Sequence, residues 1–561
     1  MFQKGKLMTN RKDILYAYWE GAMSNSYKYT KYDESLNDKL PGSIGHPQEF
    51  NNSFATQAEI KRFLNHVDLT ADEIPLNHGG AAFISDTKEA YVDDGDYHTL
   101  ILGSTGSMKT RLFIFPTVFT LGLAGENMVI ADPKGEIYDR TSGFLKEKGY
   151  EVLALNLRDL DHSECWNPFA EGYRLFKSGR EDDGLRLIID FIDVLMEKPM
   201  KTCRDIYWPM SAKVFLQGIA EIILRGADNE SEVNISSMLP FFGYVRRPGS
   251  QSSEGSPLME FIKQLPPSCS VRQHVEACIA NGQNAMAGIM GQASGALNAF
   301  SMSKQLQRLC AKSTIDLHAF KDPSRKIAIY LIVPDEDTTY HFFVSSFVKQ
   351  LYSTSVDDAY FCPGGSLPRR LNFILDEFAN LPRIPGMSTM ITAARSRNIR
   401  FYLVIQSDNQ LKDSYDTEAE TIKTNCLNWV YLNTKEWPLI KQVQEMTGTS
   451  KRSPTSKPLV SEFELTNLRK IAFDPYQGGA QALILFSRSK PFMSFLPDIS
   501  RYTQFAEYPP VPFKATNQSI NYFPAEIKAF SLKSADINRI YGEGIIDPPD
   551  LEARRKRPKR L

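Results

Sequence analysis

The chain has 561 residues, several times the roughly 100–200 residues of one domain, so we expect more than one domain and exclude a small disulfide-stapled module. Hydrophobic residues make up 42% and charged residues 23%, proportions that exclude wholesale disorder and a polytopic membrane protein. Lys and Arg number 65 against 66 Asp and Glu, so any contact with nucleic acid depends on local basic surface rather than on net charge.

Cysteine spacing and hydropathy indicate a cytosolic protein. The seven cysteines include no C-x-x-C pair, which favours reduced thiols over a disulfide framework or a zinc site. Residues 1 to 100 contain no run that approaches the roughly 18 apolar residues of a spanning helix, and residues 1 to 8 contain no apolar stretch typical of a signal peptide. We therefore expect no signal peptide and no membrane anchor in this sequence.

The pattern along the chain predicts a parallel sheet interrupted by a long helical insertion. Residues 1–95 form a lead-in segment with one amphipathic helix, Gln57–Asn65, capped by Thr56. Helical periodicity dominates the middle of the chain, and apolar strands resume after it. The predicted strands are Thr99–Leu102, Asn127–Ala131, Tyr150–Leu155, Lys326–Val333, Leu371–Leu375, Arg400–Ile405 and Trp429–Leu432.

Helix-length segments between these strands predict an α/β fold, a mostly parallel sheet with helical crossovers. We place the first part of the sheet domain at 96–171, the mostly helical insertion at 172–320 and the second part of the sheet domain at 321–505. Residues 506–561 form a C-terminal extension. It ends in a basic tail, Arg554–Arg560, which is either a solvated disordered end or a contact for DNA, anionic lipid or an acidic partner.

Residues 103–110 differ at one position from the phosphate-binding pattern G-x-x-x-x-G-K-S/T and stand between a strand and a helix, where that pattern functions. In such a loop the backbone N–H groups surround phosphate oxygens, Lys109 neutralises the β- and γ-phosphates, and the Thr110 hydroxyl ligates Mg²⁺. The candidate nucleotide-binding residues are Gly103, Ser104, Thr105, Gly106, Ser107, Met108, Lys109 and Thr110. The alternative is a simple strand-to-helix turn.

Met108 occupies the position at which the pattern has glycine. A Cβ at this position strains the loop if the backbone needs a positive φ, or crowds the phosphates. We therefore expect a reduced affinity for nucleotide or a reduced rate of turnover.

Two adjacent acids follow the strand Leu371–Leu375 at the expected carboxyl edge of the sheet. Asp376 is the candidate for holding the Mg²⁺ shell, and Glu377 is the candidate for polarising the attacking water. An acidic helix cap is the alternative interpretation, which the phosphate-loop pattern in the same sheet makes less favourable.

Two weaker signals concern Gln406 and Arg395. Gln406 ends the next strand, where its amide either senses a γ-phosphate and positions water or caps the strand. Arg395 either reaches the nucleotide of a neighbouring subunit as an arginine finger or is a solvated helix charge.

Several uncommon sequence blocks resemble the TraG/TraD-type coupling ATPases of conjugative type IV secretion. The resemblance covers about residues 50–505, with the two nucleotide motifs in the family order and a long helical insertion between them. The blocks are Tyr97–Ser107, Asp132–Glu136 with Thr141, Cys165–Pro168, Asp376–Asn380, and Gln406–Leu411 with Asn425 and Cys426.

This resemblance implies a RecA-like P-loop NTPase that uses ATP and Mg²⁺ and works as a homo-hexamer. It further implies delivery of relaxase-bound single-stranded DNA to the type IV secretion channel proteins. Matched position by position, Lys109 and Thr110 take the phosphate-loop roles, Asp376 and Glu377 the acidic pair, Gln406 the sensor and Arg395 the finger. No chemical role follows for Asp132, Lys134 and Glu136.

This sequence departs from the family at Met108 and in lacking the paired N-terminal transmembrane helices common in the family. The resemblance therefore implies a peripheral protein at the cytoplasmic side of the bacterial plasma membrane, docked through a separate membrane-anchoring partner. Two alternatives remain at this point. One is a non-hydrolysing docking receptor for the relaxosome or effector proteins, and the other is an FtsK-like double-stranded DNA pump.

Overall fold

The computed structural model describes residues 53–245, 256–279, 283–334, 336, 338–450, 457–471, 478–505, 508–516 and 518–542. The predicted basic tail lies outside the described residues. The chain divides into two compact units. We call them the sheet unit, which contains residues up to Ser163 and Ile315–Lys514, and the helical unit, which contains Glu164–Thr314 and the chain from Ala515 onward.

The strands of the described residues all belong to the sheet unit. They are β1 Asn65–Asp68, β2 Ala81–Ser85, β3 Glu89–Asp93, β4 Thr99–Gly103, β5 Asn127–Asp132, β6 Glu151–Asn156, β7 Ile327–Ile332, β8 Leu371–Leu375, β9 Ile399–Ile405, β10 Asn428–Asn433, β11 Thr449–Ser450, β12 Lys457–Pro458, β13 Lys470–Ile471, β14 Gly479–Leu485 and β15 Phe492–Pro497.

The α-helices of the described residues occur in both units. Those of the sheet unit are α1 Gln57–Phe63, α2 Phe115–Leu123, α3 Glu136–Glu147, α13 His341–Phe361, α14 Met387–Ala394, α15 Asp408–Tyr415, α16 Glu418–Asn425, α17 Trp437–Thr447 and α18 Glu462–Thr466. Those of the helical unit are α4 Ala170–Lys177, α5 Glu181–Thr202, α6 Tyr207–Gly226, α7 Phe241–Tyr244, α8 Pro257–Gln264, α9 Ser270–Ile279, α10 Gln283–Ala296, α11 Asn298–Met302, α12 Lys304–Leu309, α19 Ala525–Lys528 and α20 Ser534–Tyr541.

The main sheet has the order β13-β14-β10-β4-β9-β8-β5-β7-β6, with β15 paired to β14. The strands from β10 to β6 in this order are parallel, and they are the strands that the sequence predicts. The α/β prediction is therefore confirmed. An antiparallel extension made by β13, β14 and β15 is not predicted from the sequence.

Helices cover both faces of this sheet, which is why its strands are apolar along their whole length. In β9 all seven residues are buried. Tyr402 and Val404 belong to a hydrophobic cluster that includes Phe113 and Phe119. Phe401, on the opposite face, contacts Tyr352 of α13 with 6.1 Å between ring centroids. Such two-sided burial gives a continuous apolar run rather than alternation.

The segment predicted as a lead-in is partly an integral piece of the sheet unit. Thr56 caps α1 through a capping box with Glu59, as its position predicts. The strands β1, β3 and β2 then form a separate antiparallel sheet. Phe83 of β2 stacks on Phe113 with 6.4 Å between ring centroids, so this small sheet packs on the main core.

A buried ionic network joins the residues just before β2 and just after β3 to the amino edge of the main sheet. Arg400, at the start of β9, is 1% exposed and lies 3.1 Å from the carboxylate of Glu126, which is 0% exposed. Its guanidinium also donates to Asn372 Oδ1 and to the carbonyl oxygen of Gly95. Glu126 accepts from the Gly79 N–H at 3.0 Å. Because each charged group has several partners, the network tolerates its burial.

The helical unit differs in extent from the predicted insertion at 172–320. Its first and last residues in this part of the chain lie side by side, since the Thr314 N–H donates to the Cys165 carbonyl at 2.9 Å.

The C-terminal extension predicted at 506–561 is also divided, because the chain from Ala515 belongs to the helical unit. Phe523 stacks on Phe241 and Tyr541 meets Phe261, so apolar contacts account for this division.

Because His98 is buried, we expect the folded protein to lose stability in mild acid. Its Nε2–H donates to the Ile391 carbonyl at 2.8 Å and its Nδ1 accepts the Phe401 N–H at 3.0 Å, so the neutral ring satisfies both partners. Burial lowers its pKa from 6.5 to about 4. The stability that this histidine contributes is therefore present above pH 6.5 and is lost as the pH falls toward 4.

We expect this histidine to lower the free energy of unfolding by about 2 kcal/mol as the pH falls from 7 to 5. Urea denaturation of the wild type and of His98→Asn at both pH values measures the effect. The wild type should lose more stability on acidification than the variant. Equal losses in the two proteins would contradict the assignment.

Candidate functional site

The candidate phosphate loop begins where β4 ends, at the carboxyl edge of the sheet. The Ser104 N–H donates to the Asn433 carbonyl at 2.7 Å, which fixes the start of the loop to the end of β10. A Cβ at Gly103 would clash with Ser107 Oγ, and Gly106 has φ 76°. Small residues at these positions therefore let the backbone fold tightly.

Lys109 lies inside this loop rather than in solvent. Its Nζ donates to the Gly103 carbonyl at 2.6 Å and to the Ser104 carbonyl at 3.3 Å. The residue is 7% exposed. Burial lowers its pKa, and the nearby charges of Asp376 and Glu377 act in the opposite direction. The ammonium is thus placed at the centre of the loop, where a phosphate-binding lysine belongs.

Met108 has φ 65°, the left-handed backbone region that favours glycine. Its side chain is half-buried and packs against the main hydrophobic cluster of the sheet unit. The Leu112 N–H donates to its carbonyl at 2.9 Å, so the residue starts the helical turn after the loop. A positive φ is the condition under which a Cβ at this position strains the loop, and the chain accepts that strain at a non-glycine residue.

This geometry predicts that Met108→Gly is more stable than Met108→Ala by about 1 kcal/mol. Both variants lose the same packing, but only alanine retains a Cβ in the left-handed region. Urea denaturation of the two variants measures the difference. An alanine variant as stable as the glycine variant would mean that the loop relaxes to negative φ.

The turn after the loop is π-helical from Thr110 to Ile114, and α2 follows it. The sequence pattern predicts only a helix directly after the loop and gives no sign of this wider turn. The Phe115 N–H bonds to the Thr110 carbonyl, and Pro116 next to it has no N–H to continue the regular ladder. The missing donor explains why the wider turn forms here.

Thr110 and Asp376 form the part of the site that fits a divalent cation. Thr110 Oγ1 donates to Asp376 Oδ2 at 3.0 Å. Burial raises the pKa of Asp376 to about 6, although the Lys109 charge and the Thr110 hydrogen bond lower it. A hydroxyl and a buried carboxylate with converging oxygens suit Mg²⁺, which binds hard oxygen ligands and keeps several waters.

A chain of side-chain hydrogen bonds joins the loop to the second acid. Thr105 Oγ1 donates to Gln406 Oε1 at 2.7 Å, and Gln406 Nε2 donates to Glu377 Oε1 at 3.0 Å. Asn380 Nδ2 donates to Glu377 Oε2 at 3.0 Å. Glu377 itself has φ 52°, so a left-handed backbone turn presents its side chain at this edge. Both carboxylate oxygens are therefore oriented by amide donors.

Asp132 lies beside these groups, at the end of the neighbouring strand β5. It is 1% exposed, and burial raises its pKa to about 7, with the charges of Asp376 and Glu136 adding to the effect. Lys134 follows it and is close enough to Lys109 to lower that group's pKa. The block 132–136, for which the sequence gives no role, thus belongs to the same edge of the sheet.

The structure adds Lys470 to the surroundings of the loop. Its ammonium donates to the Gly106 carbonyl. It stands on β13, in the antiparallel extension that the sequence does not predict. Because Lys470 belongs to no motif and is far from the loop in sequence, only the fold reveals its position.

Within one chain, Arg395 contacts none of the other candidate residues and lies against Asp96 and Tyr97 instead. Its Nε donates to Asp96 Oδ2 at 2.9 Å and its guanidinium lies 4.6 Å from the centroid of the Tyr97 ring. Asp96 precedes β4, so this arginine lies toward the amino edge of the sheet, whereas the loop is at the carboxyl edge. The side chain is 48% exposed.

No helix among the described residues is long and apolar enough to cross a membrane.

Comparison with known proteins gives consistent matches for this arrangement. The family model described as type IV secretory system conjugative DNA transfer matches residues 56–461. Protein VirD4 of Rhizobium radiobacter is 22% identical over 333 residues, which cover 58% of this chain and 44% of the relative. Conjugal transfer protein TraG of Escherichia coli is 23% identical over 354 residues, which cover 59% of this chain and 52% of the relative. The chain thus spans about half the length of these curated relatives.

Solved structures match the fold over a larger share of the chain. The plasmid coupling protein TrwB in complex with the ATP analogue ADPNP has a TM-score of 0.54 at 16% identity, covering 85% of this chain and 98% of TrwB. TrwB in complex with sulphate has a TM-score of 0.52 at 16% identity. The fold, a mostly parallel sheet with an inserted helical domain, is therefore that of TrwB.

Proposed function

We propose that this chain, which belongs to the type IV secretory system conjugative DNA transfer family, is an ATP-driven coupling protein. It delivers relaxase-bound single-stranded DNA to the secretion channel. The observation that carries this proposal is the meeting of Lys109, Thr110, Asp376 and Glu377 at one edge of the sheet.

ATP binding is assigned to the loop at 103–110. Backbone N–H groups of the loop and the helical turn after it face the phosphates, and Lys109 exchanges its carbonyl partners for phosphate oxygens. Thr110 and Asp376 hold Mg²⁺, which neutralises charge on the phosphates when it is bound. The complex of TrwB with an ATP analogue supports nucleotide binding by this fold.

Hydrolysis is assigned to Glu377 with Gln406. A water oxygen attacks the γ-phosphorus, the bond from that phosphorus to the bridging oxygen breaks, and the water proton passes toward the Glu377 carboxylate. Gln406, which bonds both Thr105 and Glu377, links the occupied loop to the position of that carboxylate. When the γ-phosphate leaves, the hydrogen bonds that join Thr105, Gln406 and Glu377 rearrange.

The Arg395 finger requires a neighbouring subunit, because within one chain the arginine lies toward the opposite edge of the sheet. Its exposure leaves the guanidinium accessible to a second copy. We expect Arg395→Ala to lower the hydrolysis rate by about 10³-fold or more. A homo-hexameric ring would provide this contact at every interface.

Mixing variants tests the shared site. In co-assembled Arg395→Ala and Glu377→Gln subunits, roughly a quarter of the interfaces combine an intact glutamate with an intact arginine. Hydrolysis should therefore recover to about a quarter of the wild-type rate. A mixture no more active than either variant would place Arg395 outside the reaction.

The partners of this machine are proposed as a relaxase with its single-stranded DNA, the type IV secretion channel proteins and a separate membrane-anchoring partner. The work takes place at the cytoplasmic face of the bacterial plasma membrane. Family membership and the matches to VirD4 and TraG support this proposal.

A translocation assay tests DNA movement. The protein with ATP should displace streptavidin from the end of a biotinylated single strand, and Lys109→Ala should not. Displacement from double-stranded DNA alone would instead favour a duplex pump. Absence of displacement from either substrate would overturn the proposal.

A second candidate, a non-hydrolysing docking receptor, is favoured by Met108, whose left-handed backbone places a Cβ in the loop. If the protein is such a receptor, the wild type and Lys109→Ala should bind relaxase equally well. It would also hydrolyse no ATP until Met108 was replaced by glycine.

A further inference from the structure

The block Asp132–Glu136 has no role in the chemistry described so far, although it lies at the same sheet edge. In the register of parallel strands, Ala131 of β5 pairs with Leu375 of β8. The residues that come next in the chain are Asp132, the last residue of β5, and Asp376, which directly follows β8. Adjacent parallel positions in register point to the same face of a sheet. The two carboxylates consequently lie side by side.

The two oxygens of Asp132 differ in their surroundings. Oδ2 accepts the Tyr138 N–H at 2.8 Å, a contact at the start of α3. Oδ1 is fully buried and has no hydrogen-bond partner among the described residues. A buried carboxylate oxygen without a donor loses its hydration and gains no hydrogen bond in return, so its retention needs an explanation.

Capping of α3 does not provide that explanation. One oxygen suffices for the Tyr138 contact, and the amide oxygen of an asparagine would serve equally well. The unpartnered oxygen instead belongs to a side chain that interacts electrostatically with Asp376 and Glu136. A donor or a cation beside these acids would compensate all three charges.

We propose that Asp132 is a positioning residue for the metal of the nucleotide site. Its free oxygen accepts a hydrogen bond from a water of hydrated Mg²⁺ held by Thr110 and Asp376. Mg²⁺ keeps several of its waters when bound, and each water has O–H groups that need acceptors. This inference rests on the proposed function and adds a residue to its metal half.

Metal affinity tests the proposal independently of hydrolysis. The full chain is loaded with ADPNP, and Mn²⁺ binding is followed from the electron paramagnetic resonance signal of free Mn²⁺. Asp132→Asn should weaken Mn²⁺ binding about 10-fold, the scale of effect for groups that orient metal ligands. The affinity for a fluorescent ADPNP analogue in EDTA should remain unchanged.

Asp139→Asn is the matched control, since this exposed acid lies on α3 one residue after Tyr138. It should bind Mn²⁺ like the wild type. If Asp132→Asn also kept the wild-type Mn²⁺ affinity, the inference would be overturned while the proposed function stood. If Asp132→Asn weakened Mn²⁺ binding and the binding of the ADPNP analogue in EDTA by the same factor, Asp132 would have a purely structural role and the inference would fail. A wild type that bound neither ADPNP nor Mn²⁺ would overturn the proposed function, and this inference with it.

Discussion

Glu377→Gln is expected to lower kcat for ATP hydrolysis by about 10²–10⁴-fold. The amide has the shape of the carboxylate but cannot accept a proton from the attacking water. Its one remaining acceptor oxygen can still accept the Gln406 amide hydrogen, and the contact that is lost is the one with the exposed Asn380, so most of the edge is preserved. The Kd for ATP should therefore change little. Steady-state hydrolysis and nucleotide binding of the same preparation measure the two effects.

Glu147→Gln is the control for this change, because Glu147 is an exposed acid at the end of α3. It should hydrolyse ATP at the wild-type rate. If Glu377→Gln retained that rate as well, another group would have to accept the proton. A parallel loss of ATP binding would instead indicate damage to the loop.

Arg400→Leu is expected to reduce the free energy of unfolding of the sheet unit by about 3–5 kcal/mol. Removing this guanidinium leaves Glu126 buried with its carboxylate only partly compensated. It also removes donors to Asn372 and to the Gly95 carbonyl. The network that joins the residue 77–95 segment to the sheet would lose its central cation. Urea denaturation measures the change.

Lys490→Ala gives the comparison with an ordinary surface pair. Lys490 lies 3.2 Å from Glu59 and is 45% exposed, so its loss should cost less than about 1 kcal/mol. Similar destabilisation by both substitutions would show that burial of the Arg400 pair has no special importance.

The parallel strands were predictable because burial on both faces leaves an apolar run in the sequence. Thr99–Gly103 and Ile399–Ile405 are such runs, and each stands before a residue of chemical interest. The phosphate loop and the acidic pair were found for the same reason, since each motif follows directly from a strand. Their mutual contact, Thr110 with Asp376, follows from strand adjacency.

Other elements depend on contacts that the local sequence does not encode. Strand β14 pairs with β10 and with β15, and these antiparallel pairings join segments that no sequence motif connects. The small sheet before residue 95 becomes recognisable only through its packing on Phe113. The π-helical turn depends on the missing N–H of Pro116, whereas the apolar periodicity of this segment indicates a regular helix.

The positions of some residues around the site do not follow from sequence motifs. Lys470 reaches the loop from a distant strand, and Asp132 becomes meaningful only through its register with Asp376. Arg395 shows the converse, because its position in one chain separates it from the loop that it is proposed to serve. Spatial neighbours from remote segments, and from other subunits, cannot be deduced from spacing alone.

The central claim is that this chain converts ATP hydrolysis into work on single-stranded DNA. The most direct test is steady-state ATP hydrolysis by the purified full chain with and without single-stranded DNA, beside Lys109→Ala. The wild type should hydrolyse ATP at a rate that rises when DNA is added, and Lys109→Ala should show no turnover. A wild type that hydrolyses no ATP under either condition, but gains activity in Met108→Gly, would contradict this claim and identify a docking subunit whose loop has been switched off.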